Sequence, residues 1–201
     1  MGQSDLPPDP LPPPPGGNGY VVPGSLRDLL MVDMLELTGT TTAAAALLGI
    51  SQSSVSRRYR ALARELDLMH DPGAPIGLRY GNTAWMRKLR EGINSHRLAQ
   101  GVLRVGVPME VWSECLFDPR CQWVGLPGEV IQEWPRLLAE ELLVGVVTGH
   151  PPDGDPTEGL CCCCLPAEWI PLTSPWLISR ADGVVRRIVD TICPTTGNRS
   201  D

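Results

Sequence analysis

Between Ser51 and Arg64 the chain concentrates side chains that can read a nucleic-acid surface: Ser51, Gln52, Ser53, Ser54 and Ser56, then Arg57, Arg58, Arg60 and Arg64. Each type has a defined chemistry there. Gln pairs bidentately with adenine and Arg with guanine, while Ser is tolerant of either. Arginines not used on bases neutralise phosphates. The plainer alternative is a solvated basic face on an ordinary helical hairpin. Periodicity alone leaves both open.

These side chains need a helix to present them. Val55, Tyr59, Leu62 and Leu66 recur at i, i+4, i+7 and i+11, one apolar stripe of 3.6-residue period, and Gln52, Ser53, Ser56, Arg57, Arg60 and Arg64 take the opposite face. Arg58 lies on the flank. A short alanine-rich helix, Thr42 to Leu48, precedes it. Gly49 can adopt the positive φ that ends a helix, Ile50 points inward, and Ser51 caps the next helix. Thr42 and Ser51 are expected as N-caps whose helix ends face phosphate. The expected reading surface is therefore Thr42, Ser51, Gln52, Ser53, Ser54, Ser56, Arg57, Arg58 and Arg60.

The segment from Gly39 to Leu68 closely resembles the DNA-binding region of LysR-type transcriptional regulators. The resemblance is carried by Gly39-Thr40-Thr41-Thr42, Ala44-Ala45, Leu48-Gly49-Ile50-Ser51-Gln52, Val55-Ser56 and Arg60-Ala61-Leu62. Thr41 stands where that family prefers an aromatic, and Asp67 where it has Gly; both are expected off the DNA face. The resemblance implies a winged helix-turn-helix domain at 25–82 and a linker helix at 83–100 that pairs two protomers. It then implies a small α/β domain at 101–193, of the parallel-sheet, truncated periplasmic-binding-protein-like kind. It also implies a sequence-specific regulator bound to double-stranded DNA as a dimer through the 52–66 helix. Paired readers reach successive major-groove faces, which favours partly palindromic sites.

Charge is distributed to suit that organisation. Residues 25–104 carry eleven Lys/Arg against seven Asp/Glu, whereas 105–201 carry six against fourteen. A basic reader joined to an acidic partner module gives this asymmetry, although the whole chain is acidic at −6. No apolar run approaches the roughly twenty residues of a membrane span. The N-terminus shows neither the basic nor the apolar region of a secretory signal, so a cytoplasmic location is expected. The seven cysteines include four in a row, which is no framework of spaced disulfide partners and fits a reducing compartment.

In chain order, residues 1–24 are rich in Pro and Gly and read as a disordered or polyproline-like tail. Ser25 with Asp28 resembles a capping box opening a helix to about Thr38, with Leu26, Leu30, Met34 and Leu37 on one face. Residues 69–82 hold two prolines and three glycines, the composition of a small hairpin or wing, with Arg79 its only basic residue and His70 on the surface. Met86, Leu89, Ile93 and His96 follow at 3-4-3 spacing, a coiled-coil-like seam within 83–100. Strands are expected at 101–107, 121–126 and 142–148, with helices at 108–117 and 128–140 between them.

The run Leu160 to Leu165 reads as a buried strand, with Cys161 and Cys163 on one face and Cys162 and Cys164 on the other. A zinc site would need a spaced Cys-x-x-Cys turn, so no metal is expected. A terminal helix spans 181–193, and 194–201 fray. The sequence shows no acid–base pair, no nucleophile with its His and no phosphate-cradling Gly loop, which argues against an enzyme with a catalytic site or resident cofactor. Only one lobe's length of the family's two-lobed effector domain is present, so an intact small-molecule effector cleft is not expected. The competing functions are a degenerate regulator acting as a dimerisation module, and a thiol or metal sensor built on the cysteine run.

Overall fold

The computed structural model describes residues 22–81, 83–112, 120–152 and 159–193. A 3-10 turn at Gly24–Leu26 leads into α1 (Arg27–Thr38), α2 (Thr41–Leu48), α3 (Gln52–Glu65) and α4 (Ala84–Ala99). There follow β1 (Leu103–Pro108), α5 (Met109–Trp112), β2 (Cys121–Leu126), α6 (Gly128–Ile131), α7 (Trp134–Ala139), β3 (Gly145–Thr148), β4 (Leu160–Cys164), β5 (Trp176–Arg180) and α8 (Gly183–Ile192).

α1 is the centre of the molecule. Every residue from Leu29 to Leu37 is buried, so it is enclosed on all sides rather than on the single stripe expected. The reason is that it packs α2 and α3 on one side and the sheet on the other. Its apolar side chains share one core with Ala44, Leu48 and Val55 of the helix pair and with Val124, Leu126 and Val146 of the strands. α1 begins at Arg27, with Leu26 rather than Ser25 in the N-cap position, and Asp28 meets Arg58 Nη1 at 3.4 Å. Val22, inside the segment expected as a tail, is buried in this same core.

The five-stranded sheet runs β2-β1-β3-β5-β4. β1 pairs in parallel with both β2 and β3, as alternating strands and helices predict. β5 then enters antiparallel to β3 and carries β4 antiparallel on its outer edge. The sheet is therefore mixed, with β2-β1-β3 the parallel part that was expected and β5-β4 an antiparallel addition to it. β5 itself was not anticipated, because Trp176–Arg180 carries two polar residues and a short apolar centre. On β1 the side chains alternate: Leu103, Val105 and Val107 join a second core beneath α8, while Arg104 turns toward α1.

The helix expected at 128–140 is broken into α6 and α7, with Gln132 and Glu133 between them and Pro135 in the first turn of α7. β3 begins at Gly145, three residues later than expected, though Leu142, Leu143 and Val144 before it are fully buried. The expected helix at 108–117 is seen as α5 at Met109–Trp112, its remainder lying outside the described residues. The tail expected at 194–201 and most of that at 1–24 lie there too.

Candidate nucleic-acid interface

The turn between α2 and α3 is fixed by its own backbone chemistry. Gly49 sits at φ 65°, a left-handed conformation that costs an L side chain about 1–2 kcal/mol. Its N–H reaches the carbonyls of Ala45 and Ala46, and Ile50 N–H donates to Ala45 O at 3.1 Å, closing the helix end. Ser51 caps α3 as expected, its Oγ accepting from Ser54 N at 3.2 Å. The same Oγ lies 3.1 Å from Ser53 Oγ and 2.8 Å from Ser54 Oγ, so three hydroxyls cluster at the start of α3.

The cap of α2 is Thr40, whose side chain accepts from Ala43 N at 3.1 Å. Thr42, expected in that role, is exposed within the first turn. Three consecutive threonines made the choice ambiguous in sequence; the residue three before the freed N–H decides it. Thr41 also departs from expectation. Its Oγ1 accepts from Gln52 Nε2 at 2.8 Å, tying the first turn of α2 to the first residue of α3. A position expected to lie off the reading side thus orients one of the reading residues.

α3 is anchored by Val55, which is fully buried, with Tyr59, Leu62 and Leu66 packed against the same core. Burying one such valine contributes roughly 1.5–3 kcal/mol. The opposite face carries Gln52, Ser53, Arg57, Arg60 and Arg64 exposed to solvent, and Ser54 and Ser56 half-buried. Arg64 folds back so that its Nε donates to Arg60 O at 3.2 Å. Arg58 differs from its neighbours: half-buried, it turns toward α1 and Asp28.

Behind α3, the loop 69–81 contains no strand among the described residues, so the expected hairpin wing is not present as a paired ladder. A buried carboxylate organises it instead. Glu36, with no solvent exposure, accepts from the N–H groups of Gly77 at 2.9 Å, Arg79 at 3.1 Å and Tyr80 at 2.7 Å. These bonds bend the loop around α1 and replace the strand pairing that a wing would use. Burial pushes the Glu36 carboxyl above its ordinary range, against the opposing pull of these N–H groups and Arg90.

Tyr80 extends the link to the reader. Its ring meets that of Tyr59 edge-on at 5.3 Å, Tyr59 Oη donates to Tyr80 O at 3.1 Å, and Tyr80 Oη donates to Gly39 O at 2.8 Å. Burial, with Tyr80 and Glu36 nearby, pushes the Tyr59 phenol up to about 12. His70 is exposed as expected but stacks on Tyr80 at 4.4 Å.

A second buried carboxylate, Asp33, bridges elements far apart in the chain. Its two oxygens meet Arg90 Nε of α4 at 2.8 Å and Arg104 Nη1 of β1 at 2.9 Å. Sequence reading missed both carboxylates. The available signal was their placement inside the apolar run of α1, LLMVDMLELT, where an acid must find partners.

The seam residues of α4 divide. Met86 and Ile93 point into the chain's own core, whereas Leu89 and His96 face outward. The outward face also carries Trp85, exposed to 37%, one turn from Leu89 at 36%. Of the four residues of the expected seam, Leu89 and His96 are thus exposed and Met86 and Ile93 belong to the chain's own core.

Among solved structures, the chain is similar to ArgP from Mycobacterium tuberculosis, 18% identical with a TM-score of 0.32, over 69% of this chain and 51% of that one. It is similar to CrgA, a LysR-type transcriptional regulator from Neisseria meningitidis, 19% identical with a TM-score of 0.30, over 73% and 54%. HinK, a LysR family transcriptional regulator from Pseudomonas aeruginosa, is 19% identical with a TM-score of 0.29, over 71% and 56%. The chain spans about half the length of these structures. No family model matches the chain. No curated protein matches it either. Among the described residues no helix is long and apolar enough to cross a membrane, and no group of three His, Cys, Asp or Glu is placed to hold a metal ion.

Proposed function

We propose that this chain is a sequence-specific DNA-binding transcriptional regulator of the LysR type, reading double-stranded DNA with α3. The observation that carries the proposal is the two-sided character of α3. Its apolar side is locked to α1 by Val55 and Tyr59, and its outer side offers Gln52, Ser53, Arg57 and Arg60 with no carboxylate among them. Ser51 and the Gln52–Thr41 bond hold the first turn in a defined orientation, so that its side chains reach base edges while the arginines meet phosphate. Thr42, Ser54 and Ser56 lie close enough in sequence to supply hydroxyls to the backbone of the duplex. Arg58, spent on Asp28, contributes less than its neighbours.

In this reading two copies pair through the outward face of α4, around Trp85 and Leu89, which sets two α3 helices about one helical turn of DNA apart, roughly 34 Å. The arginines decide the test. Replacing Arg57 with Ala weakens binding by about 1–3 kcal/mol and relaxes specificity at one position where its guanidinium contacts a base, or weakens binding to all sequences alike where it contacts phosphate. Replacing Arg58 with Ala has a smaller effect on affinity. Binding curves unchanged by Arg57→Ala, measured by fluorescence anisotropy, contradict the role of α3.

A further inference from the structure

The cysteine run forms one edge of the sheet. β4 is not the buried strand its composition suggests: it is the outer strand, with Cys161, Cys162 and Cys163 half-buried and Cys164 exposed. No strand lies beyond it among the described residues. The pairing with β5 fixes which of its backbone groups are free. Bonds from Ala181 N–H to Gly159 O and from Leu165 N–H to Pro175 O, both 2.8 Å, bracket the strand. Cys161 is opposite Ser179 and Cys163 opposite Leu177, so the alternation of an antiparallel ladder turns the backbone of Cys161 and Cys163 toward β5. The N–H and C=O groups of Leu160, Cys162 and Cys164 therefore point away from the sheet.

Sheet edges are commonly protected from pairing by a charge, a proline or a bulge. Leu160–Cys164 carries neither charge nor proline, and its register on β5 runs without a bulge. Beside this edge, α8 forms one wall of a cleft of about 760 Å³, lined by Trp176, Arg186, Val189 and Asp190 among others. Arg186 and Asp190 are exposed, one helical turn apart, and neither side chain enters an ion pair among the described residues.

We propose that the free edge of β4 pairs antiparallel with β4 of a second copy of this chain, joining two five-stranded sheets edge to edge. The occupant is a second copy because the edge and its flank complement themselves. A two-fold axis at Cys162 sets Cys162 against its own equivalent and Leu160 against Cys164 of the second copy. Every free N–H and C=O of the edge then meets a carbonyl or an amide. The axis stands perpendicular to the sheet, so it keeps both α8 helices on one face and reverses their directions. Arg186 of each copy consequently faces Asp190 of the other, an isologous pairing of opposite charges. An unrelated strand would satisfy the backbone but leave these charges unmatched. Five residues make a small contact, so this step is weak, separate from the α4 contact, and grows with concentration.

The contact is tested on the full chain by sedimentation equilibrium over a concentration series, with amide exchange measured on the same samples. Neither Arg186 nor Asp190 lies on α3 or α4, so the result stands apart from DNA binding and from the α4 contact. Arg186→Asp sets like charges opposite one another and is expected to weaken the concentration-dependent step roughly tenfold. Adding Asp190→Arg to that variant restores opposite charges and is expected to restore the natural strength. Cys164→Lys, at an exposed position, places a charge on the edge and removes the step. In the unaltered chain the amides of Leu160, Cys162 and Cys164 are expected to exchange more slowly as concentration rises. A double variant that associates no better than Arg186→Asp, or association unchanged by all three variants, overturns the proposal. Should a variant not fold, the unaltered chain decides: edge amides that exchange at the same rate at every concentration overturn it equally.

Discussion

Asp67 occupies a backbone position made for glycine. Its φ of 50° follows directly on α3, where Leu66 caps the helix and Leu68 N–H returns to Ala63 O at 2.9 Å. Asp tolerates this conformation better than most residues but not freely. Asp67→Gly is therefore expected to raise stability by about 0.5–1 kcal/mol, read as a shift in the urea midpoint with an unchanged slope. A lower midpoint would show that the Asp67 side chain contributes more than its backbone strain removes. At the same scale, Gln52 and Thr41 show what a sequence hides. The pattern identified Gln52 as a reading residue from its type and face. The 2.8 Å bond that orients it joins residues eleven apart across a turn, and only the angle between α2 and α3 determines that distance.

Helices with a single apolar stripe were legible in the sequence, and α3 is the clearest of them. Its Val55–Tyr59–Leu62–Leu66 stripe, its Ser51 cap and the Gly49 turn stand as the residue types require. α1 and α4 were harder for one shared reason: each packs on two partners. α1 is enclosed, so its periodicity vanishes. α4 spends Met86 and Ile93 on its own chain, and heptad spacing cannot tell an internal seam from an external one. β4 was misjudged similarly, because four cysteines look equally apolar in a central or an edge strand.

These two faces of α4 make opposite predictions. Leu89→Asp is expected to leave the fold intact and shift the sedimentation coefficient from dimer to monomer. Ile93→Asp places a carboxylate in the core and is expected to cost several kcal/mol of stability. A Leu89→Asp protein with unchanged mass would exclude the outward face as the contact.

Across the whole molecule, the reader and the sheet are joined through α1 by its two carboxylates. Asp33 meets α4 and β1, and Glu36 accepts from the 77–80 loop. Glu36 has its folded-state pKa raised above the ordinary 4.5 by burial. The folded state therefore keeps this proton longer than the unfolded chain does. The associated stability is present in full below 4.5 and is lost as pH rises through the folded-state pKa. Glu36→Gln removes that linkage and, by facing an amide toward N–H donors, costs about 1–3 kcal/mol. The stability gap between the two proteins is expected to narrow as pH rises; a gap that widens would contradict the assignment.

The central claim concerns α3 and DNA, and one measurement addresses it most directly. It is the binding of the purified chain to the DNA upstream of its own gene, by fluorescence anisotropy across a salt series with unrelated duplex as competitor. The account predicts tight binding that survives the competitor and weakens steeply and linearly in log salt, as counterions displaced by Arg57 and Arg60 return. A folded protein that binds neither duplex, or binds both alike, would contradict it, leaving the helix pair as a scaffold for the α4 contact.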